Sequence, residues 1–346
     1  MATYLPGSGA ISLNDINTVF GRGNNLNSYR GTTYYTSTAG PFTFSSGAID
    51  MNSFHGTGPI ANRVAISYTF SSNAADASLN VASISGYAAG TSDITITVNS
   101  GIYLWASSTG NAGLTLTGGT SGDTITIVNN GYIMGCGGHG GDIDSGGYPV
   151  TPTPSGGTAL SLGFTTTVNN TNGSAYIGGG GGGGGSSALG SGGGGAGGGN
   201  SGILGAATPA PIPGALGGSI GSVGANGTYY AGGGGGRIFP GSGGAGGSGT
   251  GKLTAFPGSG GGAGGGGGAT GQASSVVTAG SGGAGSAAGG NYPVPATYGA
   301  GGGGGWGASG GSSTSSGGGG GKAVALNGYS VSWVSGDTTR VYGAVS

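Results

Sequence analysis

Residues 178–321 are dominated by glycine, and this constrains the fold more than any other feature of the chain. Glycine has no side chain to bury and loses more backbone freedom on folding than any other residue. Unbroken runs include 178–185, 232–236, 264–268, 301–305 and 317–321, and most of the 98 glycines lie in this stretch. Such a chain is therefore either a flexible linker or a fold held together by its backbone.

Two features favour a backbone-held fold. The glycine runs recur at short intervals, as structural repeats do, and the segments between them are apolar and aromatic, whereas linkers are usually interrupted by polar residues. Collagen is excluded because there is no strict Gly-X-Y period. Glycine can instead adopt the extended threefold helix known from polyproline, and helices without Cβ atoms can lie side by side and hydrogen-bond laterally. The sequence thus predicts a polyglycine-II helical bundle over 178–321.

The segments between glycine runs supply aromatic side chains that a bundle could display. Rigidly held aromatic residues give a binding surface large contact area at low conformational cost. If successive runs alternate in direction, inserts 222–231, 252–257 and 291–298 emerge at one end, which we expect to face a binding partner. The alternative is a small aromatic core that caps the bundle. The candidate contact residues, of which the first five share that end, are Tyr229, Tyr230, Phe256, Tyr292, Tyr298, Phe239 and Trp306.

Glycine runs separated by short aromatic inserts resemble the tip adhesins of T-even-type bacteriophage tail fibres. The resemblance covers 178–321 in style rather than in exact motif. It implies a polyglycine-II sandwich that presents variable loops to a receptor on the host cell, either an outer-membrane protein or a polysaccharide. It also implies a virion tail component that is assembled in the host cytoplasm and acts outside the cell.

Residues 1–59 contain a degenerate repeat of very short helices. Each copy has a capping residue, an apolar residue next, another apolar residue three positions on, and a closing glycine. One such turn is marginal alone, so we expect the copies to pack on each other or on a partner. The caps and closing glycines are Ser12 with Gly21, Asn25 with Gly31, and Asp50 with Gly56; Tyr34, Tyr35, Phe42 and Phe44 are expected on a short hairpin.

Two phrases in this repeat, GAISLND at 9–15 and GAIDMNSFHG at 47–56, resemble attachment segments of phage tail and fibre proteins. The resemblance implies docking on other virion tail or fibre proteins. The alternative is a small helical cap with no partner. The residues that would attach the chain to the virion are Leu13, Ile16, Leu26, Tyr29, Met51 and Phe54.

Residues 60–177 alternate between apolar and polar side chains, which predicts half-buried strands at 64–70, 94–98, 102–105, 114–116, 125–128 and 132–134. A small sandwich and a few solenoid coils both satisfy this pattern. We favour a compact β domain whose strands lead into the glycine bundle. The phrase VNNGYI at 128–133 has an echo at 168–177, and both copies run into glycine.

Residues 322–346 return to β structure. The dipeptide Asn327-Gly328 between apolar runs is a strong hairpin signal. We therefore predict a C-terminal β-hairpin that pairs with the strands of 92–134. The chain as a whole is predicted to be mainly β, with a glycine-rich helical bundle and a small module of helical turns. Its predicted domains are 1–59, 60–177, 178–321 and 322–346.

Composition leaves little for catalysis or cofactor binding. Charged residues make up 4% of the chain, against about 25% in ordinary domains, and a net charge of −1 gives no footprint for nucleic acid. Only Cys136, His139, Asp142 and Asp144 could form a metal site, and they lie in a glycine loop without a second cysteine pair. We predict no metal and no cofactor. Glycosidases need paired carboxylates, and only Asp337 lies beyond residue 144.

These observations predict a non-enzymatic phage tail adhesin that attaches to the virion through its N-terminus and recognises a host receptor through loops between glycine runs. One alternative is a structural tail-tip or fibre-capping protein without receptor binding. Another is a surface-polysaccharide depolymerase. A homotrimer is one option for the oligomeric state, although the resembled tip adhesins need not be trimeric. The N-terminus lacks a signal-peptide pattern, so we expect release by lysis or within a particle.

Overall fold

The computed structural model describes residues 4–36, 40–59, 63–143, 153–186, 191–197, 301–312, 315–336, 338 and 340–346. The chain divides into two compact units. One comprises Met1–Thr69, Asn80–Thr97 and Thr117–Ile127, and the other comprises Phe70–Leu79, Val98–Leu116 and Val128–Ser346. Within the described residues, no helix has the length and apolar character needed to cross a membrane.

The N-terminal residues fold into short helices and a small antiparallel sheet. Helix α1 spans Leu13–Phe20, and 3-10 helices span Leu26–Tyr29 and Met51–Phe54. The sheet has the strand order β2-β1-β3, with β1 at Thr33–Thr36, β2 at Phe42–Thr43 and β3 at Thr57–Gly58. The predicted repeat of short helices and the predicted hairpin are confirmed.

Side-chain caps explain where these helices begin. Ser12 Oγ accepts a hydrogen bond from the Asp15 N–H at 3.1 Å, and the Asp15 carboxylate accepts one from the Ser12 N–H at 2.8 Å, which forms a capping box. The hydrogen bonds from Ser12 lower the pKa of the Asp15 carboxyl below its ordinary value. Asn25 and Asp50 cap the other two helices by accepting side-chain hydrogen bonds from the N–H groups of Asn27 and Ser53. The closing Gly21, Gly31 and Gly56 have left-handed φ angles of 69°, 66° and 67°.

The rest of the described chain is built mainly from short strands. They are β4 (Val64–Phe70), β5 (Ala74–Ala75), β6 (Ala77–Asn80), β7 (Ser92–Val98), β8 (Tyr103–Trp105), β9 (Ala112–Thr117), β10 (Thr124–Asn129), β11 (Tyr132–Met134), β12 (Thr158–Leu162), β13 (Thr166–Asn169), β14 (Tyr176–Gly178), β15 (Lys322–Ala325), β16 (Val331–Trp333), β17 (Val341–Tyr342) and β18 (Ala344–Val345). Further 3-10 turns span Val81–Ser83 and Val334–Gly336.

These strands form three five-stranded sheets in a repeating order, so that every third strand joins the same sheet. The orders are β4-β7-β10-β13-β16, β5-β8-β11-β14-β17 and β6-β9-β12-β15-β18. Neighbouring strands such as β8 and β11, or β9 and β12, run parallel. These strands therefore form a parallel solenoid, one of the two β arrangements that the alternating pattern allowed. Inward side chains such as Leu104, Leu114 and Ile133 are fully buried.

The echo of VNNGYI marks one coil of this solenoid. Tyr132 of β11 pairs with Tyr176 of β14, so the two copies lie side by side. Asn129 donates a side-chain hydrogen bond to Asn170 at 2.8 Å, and both side chains are buried. A buried amide requires a partner, and stacking one coil on the next supplies partners for the amide nitrogen of Asn129.

The predicted C-terminal hairpin is wrong. The strands β15 and β16 on either side of Asn327-Gly328 lie in different sheets, where they run parallel to β12 and β13 rather than to each other or to the strands of 92–134. Asn327 and Gly328 have positive φ angles of 50° and 88°, so the dipeptide bends the chain as expected. A bend does not select a strand partner, and the previous coil offers an open edge. The division into four domains stays a prediction.

Both glycine-rich insertions leave the solenoid at the same corner. Residues 135–157 connect β11 to β12, and residues 179–321 connect β14 to β15. In other coils this corner consists of Asp76 alone, of residues 106–111, or of Gly343 alone. The solenoid therefore places the ends of both insertions at equivalent positions of neighbouring coils.

Candidate functional site

The glycine segment 178–186 donates its backbone hydrogen bonds with a period of three residues. Donors three positions apart reach the same neighbouring segment, so the N–H groups of 180–185 point in three directions in turn. Gly180 and Gly183 donate to Gly157 and Pro154 at 2.9 and 3.2 Å, Gly181 and Gly184 donate to Ala196 and Gly193 at 2.8 and 2.8 Å, and Gly182 and Gly185 donate to Ala308 and Gly311 at 2.9 and 2.8 Å.

The carbonyl groups of the same segment follow the same period toward three other neighbours. These neighbours are 135–141, 301–307 and 315–321. The oxygens of Gly178, Gly181 and Gly184 accept from Gly135, Gly138 and Gly141 at 2.7–2.8 Å; those of Gly179, Gly182 and Gly185 accept from Gly307, Gly304 and Gly301 at 2.7–2.8 Å; and those of Gly180 and Gly183 accept from Gly321 and Gly318 at 2.8 Å.

Six described segments thus surround 178–186, and they also bond to one another in a ring. Gly195 donates to Gly138, Ala196 to Gly304, Gly311 to Gly302, Gly310 to Gly318, Gly156 to Gly319 and Gly157 to Cys136, at 2.7–2.9 Å. Buried peptide groups in this region therefore find partners without a conventional sheet. In the described part of the insertions, the backbone itself is the core.

Side chains are excluded from the central segment because its neighbours approach too closely. A Cβ atom placed on Gly180, Gly182 or Gly183 would overlap the carbonyl oxygen of Cys136, Gly318 or His139 respectively. These oxygens belong to backbone, which cannot rotate away as a flexible side chain can. Gly319 of a surrounding segment has more room, since only Ser155 Oγ lies near its Cβ position, at 3.4 Å.

A tyrosine ladder borders the glycine segments. The rings of Tyr103 and Tyr132 stack with centroids 4.5 Å apart, Tyr132 and Tyr176 follow at 6.1 Å, and Tyr176 and Tyr342 at 5.9 Å. Tyr132, Tyr176 and Tyr342 share a buried cluster with Met134, Ala196, Trp306 and Ala308. The sequence did not predict this ladder; its signal was the Tyr-Ile pair that ends both VNNGYI at 128–133 and its echo at 168–177.

Burial dominates the electrostatics of the ladder. It raises the pKa of Tyr342 to about 12, with a smaller contribution from Tyr176. Burial also raises the pKa of Tyr132, and the neighbouring Tyr103 and Tyr176 act in the same direction. An ionised phenolate is disfavoured in such a site because it loses its hydration. Burial therefore favours the neutral form of Tyr132 and Tyr342.

Trp306 does not lie on a displayed loop, contrary to the prediction. Its side chain is 1% exposed and packs in the same cluster as the tyrosine ladder, 3.3 Å from the position of a Cβ on Gly178. A flat indole fills the space that glycine leaves, which explains its burial. Trp306 therefore fits the alternative prediction, in which aromatic residues of the inserts form a small core instead of a contact surface. The other candidate contacts, Tyr229, Tyr230, Phe239, Phe256, Tyr292 and Tyr298, lie outside the described residues.

The structure divides the six predicted attachment residues into two classes. Ile16, Tyr29 and Phe54, the second apolar residue of each repeat, are fully buried in one core, where the rings of Tyr29 and Phe54 meet edge-on at 5.3 Å. The first apolar residue of each repeat is only half-buried and packs against this core; these residues are Leu13, Leu26 and Met51. Of the six residues, only the half-buried Leu13, Leu26 and Met51 retain apolar surface for a partner.

The carboxylates near the predicted strands are engaged within the fold. Arg63 Nε donates to Asp93 at 2.6 Å, and Thr124 also donates to this carboxylate. Although burial raises the pKa of Asp93, hydrogen bonds from Thr124 and Arg63 outweigh it, and the pKa lies below its ordinary value. Asp123 accepts from Tyr87 Oη at 2.7 Å and from the Ser92 N–H at 3.1 Å.

No metal centre is evident among the residues that the structure covers. His139 Nδ1 lies 3.4 Å from Asp142 Oδ1 and 2.6 Å from the Gly140 carbonyl oxygen. No group of three or more His, Cys, Asp or Glu side chains gathers in the described ranges. Burial raises the pKa of the Cys136 thiol, which disfavours the thiolate that metal binding requires.

Comparisons with known proteins identify a family for the chain. The sequence model of the family described as "Phage tail fibre adhesin Gp38" matches residues 65–244, just over half of the chain. A similar solved structure is the crystal structure of the gp37-gp38 adhesin tip complex of the bacteriophage S16 long tail fiber, with 17% identity and a TM-score of 0.41 over 86% of this chain and 87% of that chain. No curated protein matches the sequence. On the strength of the family match, the chain belongs to the Gp38 phage tail fibre adhesins.

Proposed function

We propose that this adhesin is non-enzymatic and that its glycine segments form a polyglycine-II bundle that holds receptor-contacting loops. The observation that carries the proposal is the period of three in the hydrogen bonds of 178–186. An extended threefold helix returns its peptide groups to the same side every third residue. Six laterally bonded neighbours are what such a helix accommodates when no side chain intervenes.

Both ends of the predicted loop region start from this bundle. Residues 198–300 connect segment 192–197 to segment 301–307, and these two segments bond directly to each other. Gly193 donates to Gly301 at 3.1 Å and Ala196 donates to Gly304 at 2.9 Å. Anchored ends lower the conformational cost of holding a binding surface. This supports Tyr229, Tyr230, Phe239, Phe256, Tyr292 and Tyr298 as candidate receptor contacts.

Receptor binding is tested with the purified full-length chain and the bacteria that its phage infects. We expect the wild-type chain to bind these cells. Single substitutions Tyr229→Ala, Tyr230→Ala and Tyr292→Ala should weaken binding about tenfold or more if these residues are hot spots, without lowering the melting temperature. Tyr329→Ala is the matched control, because Tyr329 is an exposed tyrosine outside the predicted loops.

The outcomes separate the alternatives. Absence of binding by the wild-type chain would support a structural fibre cap. Release of reducing sugar from the cell surface would support a depolymerase. Such an enzyme needs a pair of carboxylates as acid and base, but Asp93 and Asp123 are hydrogen-bonded within the fold. Loss of binding after protease treatment of the cells would indicate an outer-membrane protein, and loss after periodate oxidation would indicate a polysaccharide.

We also propose that the N-terminal module docks on another tail fibre protein of the virion. The half-buried Leu13, Leu26 and Met51 form the contact, since each stands at the same position of its repeat and packs against the buried core while keeping exposed surface. Ile16, Tyr29 and Phe54 stabilise the module instead of touching the partner.

A further inference from the structure

An open polar groove lies on the third sheet of the solenoid. It has a volume of about 450 Å³, within the range of about 300–1,000 Å³ usual for small-molecule sites. Its lining contains no aromatic residue, no large aliphatic residue and no cation, and its polar residues include Asp76, Asn111, Thr115, Ser161 and Asn327. These residues all belong to one of the two compact units.

The floor of the groove is the outer face of three parallel strands. Ser161 of β12 pairs with Thr115 of β9 on one side and with Ala325 of β15 on the other, so three small side chains stand in one row. Neighbouring strands lie about 4.8 Å apart, which makes the row about 10 Å wide. The backbone of β12 is hydrogen-bonded on both sides, so the floor offers side-chain groups rather than an open strand edge.

The rim carries side chains that are held in place. Asp76 is the single-residue corner between β5 and β6, and its carboxylate accepts hydrogen bonds from the Ser107 N–H at 2.7 Å and from Ser107 Oγ. The hydroxyl and amide of Ser107, with a smaller contribution from Asn111, lower the pKa of Asp76 below its ordinary value. At the far rim, Asn327 donates to Ser161 Oγ at 3.0 Å.

Two residues on the rim of the groove have an unusual backbone conformation. Asp76 and Asn327 both have a φ of 50°, a region that favours glycine. Gly343 occupies the same corner as Asp76 in the last coil, with a φ of 114°. The corner can therefore be turned by glycine, and the carboxylate of Asp76 is an addition to what the turn requires. Asp and Asn adopt positive φ more readily than other residues with side chains, so these two turns place polar side chains on the rim of one groove.

We propose that this groove binds an uncharged oligosaccharide. Hydroxyl and amide groups of Thr115, Ser161 and Asn111 can both donate and accept hydrogen bonds, as sugar hydroxyls require. The ionised Asp76 accepts from sugar hydroxyls and, with no lining cation, repels acidic sugars and phosphates. A peptide would need an open strand edge or apolar anchors, and the lining has neither. The groove shares no residue with the proposed receptor loops, and its proposal does not rest on them.

The test measures binding of soluble neutral trisaccharides of glucose, galactose and N-acetylglucosamine to the full chain by saturation-transfer NMR and calorimetry. We expect at least one of them to bind and trigalacturonic acid not to bind. Ser161→Leu, which fills the floor, and Asp76→Asn, which keeps a residue tolerant of positive φ, should each lower affinity tenfold or more. Thr167→Leu is the matched control, a half-buried position on β13 outside the groove.

Three results would overturn the proposal. They are no binding of any neutral trisaccharide, equal binding of the acidic trisaccharide, or unchanged binding by Ser161→Leu in a chain that melts like wild type. If Asp76→Asn lowers the melting temperature, its side chain serves the corner, and Ser161→Leu alone decides. The trisaccharide experiment uses no cells, so its failure would not bear on the receptor-loop proposal. Loss of cell binding in the loop variants would likewise not bear on the groove proposal.

Discussion

Gly182 illustrates how a missing side chain supports this fold. Its N–H donates to Ala308 at 2.9 Å, and its carbonyl oxygen accepts from Gly304 at 2.8 Å. The carbonyl of Gly318 occupies the direction in which a Cβ would point. The energetic cost of ordering glycine is thus offset by backbone hydrogen bonds that only glycine allows. Burial at this position concerns peptide groups, which must be paired.

The substitution Gly182→Ala tests this arrangement. The added methyl group must push the backbone of 315–321 away, so we expect a loss of about 1–3 kcal/mol or more in the free energy of unfolding. Gly182→Val should cost more. The control is Gly319→Ala, whose Cβ would meet only Ser155 Oγ at ordinary contact distance. Denaturant unfolding of both variants measures the difference, and equal melting of Gly182→Ala and wild type would contradict close lateral packing.

At the level of elements, alternation predicted strands better than it predicted their partners. The observed bounds Val64–Phe70 and Tyr132–Met134 match the predicted ranges. In β7 (Ser92–Val98) every second residue is buried, which is the arrangement that period-two hydrophobicity indicates. The pattern does not say whether the next strand returns beside its predecessor or turns a corner. Asn327-Gly328 misled for this reason. Strand β12 (Thr158–Leu162) was missed because its sequence, TALSL, breaks the alternation with two adjacent buried residues.

The tyrosine ladder predicts a loss of stability at high pH. A tyrosine titrates near pH 10 in the unfolded chain, whereas burial raises the pKa of Tyr342 to about 12 in the fold. The unfolded state therefore releases its proton first as the pH rises. The contribution of Tyr342 is complete below pH 10 and declines through pH 12, by about 3 kcal/mol over two pH units. Urea unfolding at increasing pH measures it.

The matched variant for this effect is Tyr342→Phe. It keeps the ring in the ladder but has no ionisable group, so its stability should fall less steeply between pH 10 and 12 than that of wild type. Absorbance near 295 nm should show an ionisation step near pH 12 in wild type, and this step should be absent from the variant. Identical alkaline profiles would mean that Tyr342 is not the group responsible.

For the molecule as a whole, the sequence predicted which elements exist better than it predicted which side chains they bury. Glycine runs, short capped helices and alternating strands each follow from local chemistry, so their existence was predictable. Which apolar residue faces a core depends on partners distant in sequence. Trp306 was therefore expected on a surface and is buried at 1% exposure beside the ladder. The attachment residues likewise split into buried and half-buried classes that the sequence does not distinguish.

This split yields a prediction about assembly. The triple variant Leu13→Gln, Leu26→Gln and Met51→Gln changes the half-buried position of each repeat. We expect phage particles that carry it to lose the chain from the tail, as measured by mass spectrometry of purified particles. The isolated variant should melt like wild type and still bind host cells, because its buried core is intact. Val345→Gln, an exposed apolar position on β18, should leave incorporation unchanged.

The companion variant Ile16→Ala separates docking from folding. Ile16 is fully buried, so its truncation should cost about 2–5 kcal/mol and destabilise the module itself. We expect Ile16→Ala to lose both incorporation and stability, and the triple variant to lose incorporation while it keeps its stability. This combination would place the partner contact on the half-buried residues. Normal incorporation of the triple variant would instead mean that the repeat is a helical cap with no partner, and that attachment to the virion depends on another part of the chain.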